Sequence, residues 1–257
     1  MTSGGSLCRA ALVAVLALST CDAARAASPL VVSFGSSWDG PANELQAIAD
    51  AHYGTGHIDV RHDYLGAHAG DPDPWFWVGA NVSALFIRAV AGNSDRNELG
   101  WYIEPETYDL PVIDGVDDGV IWAGAPAANQ STIVNFDRPA RKFGFYLDPN
   151  GPLGAPNAPQ PDRFFTNRFY NDPGPDGQGA LHAPAGGDVQ ALVFDVSAWT
   201  QPNTWLVCFE DLDSGPNPAP CCTGTDNDFN DLIFEVHGLG ATPTRKETFG
   251  ALKLRYR

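Results

Sequence analysis

The stretch Lys142-Phe143-Gly144-Phe145-Tyr146-Leu147-Asp148 (KFGFYLD) decides the fold class. Successive side chains of an extended chain point to opposite faces. Phe143, Phe145 and Leu147 therefore share one face, and Gly144, Tyr146 and Asp148 share the other. Alternation of this kind, rich in aromatic residues, predicts a strand. Short apolar runs recur outward on both sides. Before it stand Ile58–Arg61, Trp75–Val78, Ala84–Ala91, Leu99–Ile103, Val120–Trp122 and Thr132–Phe136. After it stand Arg163–Phe169, Val189–Val196, Thr204–Phe209 and Leu232–His237. Gly, Pro, Asn and Asp lie between the runs and mark turns. One helix is predicted near the N-terminus, with Pro41 at a first helical position, Leu45, Ile48 and Ala49 on its apolar face, and Gly54 closing it. Many short strands with almost no helical periodicity predict a mainly β fold, an antiparallel β-sandwich of jelly-roll type with one short N-terminal helix.

The N-terminus reads as an export signal. Arg9 carries the positive charge, Ala10 to Leu18 form an uninterrupted apolar core, and Ala24-Arg25-Ala26 offers a small-x-small cleavage site. That core makes about 14 Å of helix, far less than a bilayer requires. Residues 1–26 are thus expected to be a signal peptide and 27–240 a single β-sandwich domain. A rival reading takes Leu18-Ser19-Thr20-Cys21 as a lipoprotein box, but Thr20 is larger than the residue such a box favours before its cysteine. Residues 241–257 form a tail or a final edge strand. Within it Thr248 to Arg257 carries Lys253, Arg255 and Arg257 and no acid, a pattern that also suits an attachment signal.

Charge narrows the partners. The chain has 15 basic and 31 acidic residues. Removal of residues 1–26 takes Arg9, Arg25 and Asp22 with it, leaving 13 basic and 30 acidic residues and a net charge of −17. Such a chain repels nucleic acid and anionic lipid. No stretch is long and apolar enough to span a membrane. Acidity keeps an extracellular protein soluble, and it also suits one that binds divalent cations where calcium is plentiful. Cys208, Cys221 and Cys222 remain after export, and one disulfide among them is expected, with its partners open.

The densest polar pattern is Phe209-Glu210-Asp211-Leu212-Asp213, a loop, then Asp226-Asn227-Asp228-Phe229-Asn230-Asp231 leading into Leu232-Ile233-Phe234-Glu235-Val236. Alternation places Asp226, Asp228 and Asn230 on one side, with Phe229 turned inward to pin the segment. Calcium takes six to eight oxygen ligands, and two acidic segments joined as a hairpin supply oxygens in that number. Glu210, Asp211, Asp226, Asp228, Asn230 and Asp231 are therefore the candidate calcium ligands. An EF-hand is excluded, because Asp231 stands where glycine is required and His237 where the bidentate glutamate belongs. The bland alternative is that these side chains cap turns through their own backbone.

The F-E-D-L … D-x-D-F-N-D-L-I-F-E-V arrangement at 209–236 resembles the bacterial family known as domain of unknown function 4114. Leu45-Gln46-Ala47-Ile48, Ile58-Asp59-Val60, the strand at 84–92, Leu99-Gly100-Trp101-Tyr102 and Gly144-Phe145-Tyr146-Leu147 extend the resemblance over most of 40–237. It implies an extracellular or surface β domain of the kind attached to large secreted proteins. The loop 213–225, with Pro216, Pro218, Pro220 and the Cys221-Cys222 pair, departs from the family pattern.

Other chemistries are weaker. A glycosidase needs two carboxyl groups about 5 to 10 Å apart, and Glu210 with Asp228 or Asp231 is the set available for a carbohydrate-active hydrolase. There is no G-x-S-x-G elbow, no H-E-x-x-H and no phosphate loop. The histidines read as scattered surface residues. Asn93-Ser94-Asp95-Arg96-Asn97-Glu98 has the composition of a hairpin turn, with Asp95 and Glu98 as lesser calcium candidates. Trp75 and Trp77 share a face that is either a sugar-stacking platform or, as burial statistics favour, core. The expectation is a secreted, non-catalytic module with a calcium-binding acidic hairpin, serving extracellular adhesion or the binding of a glycan or surface protein.

Overall fold

The computed structural model describes residues 32, 34–37, 39–68, 74–77, 82–91, 94–105, 110–135, 142–149, 163–171, 189–212, 226–238 and 240–241. The expected signal peptide at 1–26, Cys21, residues 150–162, 172–188 and 213–225 with Cys221 and Cys222, and residues 242–257 lie outside the described residues. In chain order the elements are helix α1 (Leu45–Tyr53) and strands β1 (Phe76–Trp77), β2 (Ser83–Arg88), β3 (Glu98–Ile103), β4 (Asp118–Ala123), β5 (Ser131–Ile133) and β6 (Lys142–Asp148). They continue with β7 (Phe164–Phe165), a 3-10 turn at Arg168–Tyr170, β8 (Ala191–Asp195), β9 (Thr204–Phe209), β10 (Leu232–His237) and β11 (Gly240–Ala241).

These strands form two antiparallel sheets. The first runs β11-β1-β6-β3-β4, with β7 also paired to β6, and the second runs β5-β2-β10-β9-β8. Strand β6 pairs along its length with β3, while its other edge is shared by β1 near Phe143 and β7 near Leu147. The inward rows of both sheets build one core, so the architecture is a β-sandwich. Phe143, Phe145 and Leu147 of β6 join Leu99, Trp101 and Ile103 of β3, facing Trp205, Val207 and Phe209 of β9 and Leu232, Phe234 and Val236 of β10. Rings meet edge to face across the gap: the Phe145 and Phe234 centroids lie 5.3 Å apart at 81°. That geometry sets the positive ring edge against the negative face.

The outer face of the first sheet carries a reciprocal arrangement. Gly100 pairs with Tyr146 and Gly144 pairs with Tyr102. A Cβ on Gly100 would come within 2.2 Å of the Tyr146 ring, and one on Gly144 within 2.6 Å of the Tyr102 hydroxyl. Each tyrosine thus lies over the glycine opposite, and Phe165 and Tyr170 complete this small aromatic cluster. Trp75 packs here as well, 5.9 Å from Tyr102. Between the tryptophans, Phe76 is the residue that enters the main core, and Trp75 and Trp77 are half-buried on the outside. Core burial of both tryptophans, which burial statistics favour, is therefore corrected, because the register of β1 gives the inner position to Phe76.

Helix α1 covers the outer face of the second sheet. Leu45, Ile48 and Ala49 are buried as expected, against Leu192, Phe194, Leu206, Cys208 and Ile233. Each fully buried aliphatic side chain of this kind contributes about 1.5–3 kcal/mol. The helix begins at Leu45 instead of Pro41, since 41–44 are turns and Glu44 keeps an extended backbone with its carboxylate accepting from Ser37 N at 3.2 Å. Gly54 ends it with φ of 103°. The run Ile58–Arg61 is not a strand. Gln46 supplies the partner a strand would need: its amide nitrogen donates to Ile58 O at 2.8 Å and its oxygen accepts from Val60 N at 3.1 Å. Cys208 is a free thiol buried beneath the helix. The expected disulfide is not found at Cys208, whose sulfur belongs to the apolar cluster under α1. Among the described residues no helix is long and apolar enough to cross a membrane.

Candidate metal centre

Antiparallel register assembles the site. The last pair of β9 and β10 is Phe209 with Leu232, so the next step outward sets Glu210 opposite Asp231. Asp211 N donates to Asp231 Oδ2 at 2.7 Å, and Glu210 N donates to Gln190 O at 3.0 Å, which extends the sheet just past the strand ends. Glu210 is fully buried, and Asp211, Asp228 and Asp231 are nearly so, at 5, 4 and 7 % exposure. Carboxylate oxygens of Glu210, Asp226 and Asp228 lie within 4.8 Å of one another, and so do those of Glu210, Asp211 and Asp231. Glu210 belongs to both groups.

Polar side chains around the carboxylates hold them in place. Asn97, just ahead of β3, donates through Nδ2 to Asp211 Oδ2 at 3.0 Å. Asn230 N and Nδ2 donate to the two oxygens of Asp228 at 3.1 and 2.6 Å. The same Nδ2 reaches Ser37 Oγ at 3.1 Å and Asn43 O at 2.7 Å. The segment ahead of α1 is thereby fastened to the site, and Gly35 N adds a bond to Asn227 O at 3.0 Å. Asn227 and Phe229 have φ of 52° and 56°, a left-handed conformation costing roughly 1–2 kcal/mol in a residue with a side chain. Phe229 is held there by burial beside Phe34, with ring centroids 5.8 Å apart.

Electrostatically the centre is crowded with one sign. Burial, then the Asp226 charge, pushes Glu210 up to about 7. Burial is also the first cause for Asp228, pushed up to about 6, with a further contribution from Asp226. Asp231 lies well above the usual carboxylate range through burial and then Glu210 and Asp211, and Asp211 is raised by burial. The charges that raise them are other carboxylates. Two such charges about 4 Å apart repel by about 4 kcal/mol at an effective dielectric constant of about 20. Protons or a cation must relieve this. Glu210 Oε2 and Asn97 Oδ1, both buried, have no hydrogen-bond partner among the described residues. A buried acceptor left unpaired costs about 1–3 kcal/mol, and a cation would satisfy such an acceptor.

Of the sequence-predicted ligands, the structure brings together Glu210, Asp211, Asp226, Asp228 and Asp231. Asn230 stands one layer back as a hydrogen-bond donor that orients Asp228. Turns at Asn227 and Phe229 break the simple alternation, so Phe229 enters the cluster under the helix and not the space between the sheets. Asn97 was not singled out by sequence. Its neighbour Glu98, a lesser calcium candidate, instead accepts from the Tyr146 hydroxyl at 3.0 Å.

A second polar centre was also missed. Glu235 sits in the apolar strand β10, only 2 % exposed. The Tyr53 hydroxyl and His52 Nε2 lie 2.5 and 3.2 Å from its Oε1, and His237 Nε2 lies 3.2 Å from its Oε2. Burial would raise the Glu235 carboxyl, but the bonds from His237, His52 and Tyr53 outweigh it and hold the pKa at about 2. The one signal in the sequence was an acid inside the run Leu232–His237.

No family model, no curated protein and no solved structure matches this chain. The resemblance at 209–236 rests on its residues alone.

Proposed function

We propose that this chain is an exported, non-catalytic β-sandwich module that binds calcium at the Glu210–Asp231 centre. The observation that carries the reading is Glu210 Oε2, a fully buried carboxylate oxygen that accepts no hydrogen bond from any described residue, inside a set of converging carboxylates. Hard oxygen donors in that number suit calcium, which accepts irregular geometry at 2.3–2.6 Å. Bound there, the ion ties the ends of β9 and β10 to the segment 34–43. It orders that end of the sandwich for an extracellular partner, a glycan or a surface protein. The family resemblance and the net charge support the same placement outside the cell. Thermal melts of the purified chain in calcium and in chelator test it. A higher Tm in calcium supports the reading, and identical melting temperatures sink it.

A carbohydrate-active hydrolase is favoured by one observation, the raised pKa of Glu210, which suits a general acid. The burial of Glu210, Asp228 and Asp231 opposes it, since a sugar must reach the acid that protonates it. Release of reducing ends from a polysaccharide panel, abolished by Glu210→Gln, would establish that reading in place of the first.

A further inference from the structure

We propose that the centre holds two divalent cations bridged by the Glu210 carboxylate. The inference rests on the calcium reading above and adds its stoichiometry. Ligand oxygens on one calcium, each at 2.3–2.6 Å, can stand no more than about 5 Å from one another. Five carboxylates meet at this end of the sandwich, but they satisfy that limit as two triads, Glu210–Asp226–Asp228 and Glu210–Asp211–Asp231. Glu210 is the shared member. There are thus two foci that share one residue.

Charge points the same way. One calcium ion against five carboxylates leaves a net charge of about −3 in a buried site, whereas two leave about −1. A desolvated excess of that size is costly and is relieved by further cations or protons.

Each focus has its own supports. At the first, Asn230 holds both oxygens of Asp228. At the second, Asp211 N and Asn97 Nδ2 hold Asp231 and Asp211 by one oxygen each. A carboxylate oxygen with one such bond keeps a second lone pair for a metal. Asn97 provides an observation independent of the acids. It is fully buried, its Nδ2 donates to Asp211, and the oxygen of the same amide has no partner among the described residues. That oxygen, on the amide whose nitrogen bonds Asp211, is a neutral donor available beside the second group. A bridging carboxylate must keep both oxygens available. Glu210 Oε2 has no partner among the described residues, and Oε1 accepts one long bond, 3.4 Å, from Leu212 N.

Native mass spectrometry of the full chain, stripped of metal and titrated with calcium, counts the ions. Two per chain are expected in the parent protein and one in each of Asp211→Asn and Asp226→Asn, with at least a tenfold loss of affinity at both sites in Glu210→Gln. Variants are compared only where their far-ultraviolet circular dichroism matches the parent, and the parent count stands by itself if none folds. A parent count of one, or a single ion abolished equally by Asp211→Asn and Asp226→Asn, overturns the two-ion centre and leaves the single-ion reading standing. A count of zero removes both.

Discussion

The Tyr53 hydroxyl donates a 2.5 Å hydrogen bond to Glu235 Oε1, joining the last turn of α1 to the middle of β10 across 182 positions of sequence. His52 and His237 close on the same carboxylate from the helix and from the strand end. His237 is in turn held by Gln201 Nε2 at 2.6 Å. The charge is buried yet surrounded by hydrogen-bonding side chains, so it locks the helix against the sheet in one position.

Glu235→Gln is expected to destabilise the protein by ~2 kcal/mol at pH 7, allowing for solvent screening of the group. The folded pKa of about 2 lies below the ordinary glutamate value. The stabilisation is therefore present above about pH 4.5 and is lost as pH falls through about 2. Urea denaturation at pH 7, 4 and 2.5 checks this, with the gap between parent and variant narrowest at the lowest pH.

The acidic centre has the opposite sign and a separate window. In metal-free buffer the raised pKa values of Glu210 and Asp228 mean that the folded state holds protons the unfolded state has released. Stability should rise as pH falls from about 7 to about 5, and fade as pH rises through about 7. Saturating calcium supplies the positive charge instead and should flatten or reverse that slope. Scanning calorimetry between pH 5 and 8, with and without calcium, reads it, at about 2–4 °C of Tm per kcal/mol.

Gly35→Ala should uncouple the leading segment from the site. A Cβ there would fall 1.5 Å from Asp226 O, a contact that backbone movement alone can relieve. Calcium affinity is expected to drop at least tenfold while the far-ultraviolet spectrum is retained. Isothermal titration with calcium measures the loss, and an unchanged affinity would show that the segment does not support Asp226.

Gly144→Ala should cost about 1–3 kcal/mol by overpacking against the Tyr102 hydroxyl. Gly144→Ala/Tyr102→Phe should recover only part of the loss, because the Tyr102 ring carbon Cζ at 2.7 Å and Thr166 Oγ1 at 2.9 Å still obstruct that Cβ. Urea midpoints of the three proteins, compared as a double-mutant cycle, give the coupling.

Much of the fold was written locally. Phe143, Phe145 and Leu147 entered the core as alternation requires, β9 and β10 begin and end where their apolar runs do, and Leu45, Ile48 and Ala49 form the helix face. Period-two and helical patterns are properties of neighbouring residues, so they survive folding. Ile58–Arg61 shows the limit. Its pattern is that of a strand, but its hydrogen bonds go to a glutamine on the helix.

The five carboxylates were legible because β9 and β10 form an antiparallel pair that brings two conspicuous acidic runs together. Asn97, Gly35 and the Tyr53–Glu235 bond were not, since each acts on a residue more than a hundred positions away. Spacing along the chain was enough for most of the strands, the helix face and the set of acids that cluster. Only the tertiary fold brings the carboxylates into two overlapping groups that share Glu210, and sets Asn97, just ahead of β3, against Asp211. Burial and the register between distant strands set the distance between charges, and no local pattern encodes that distance.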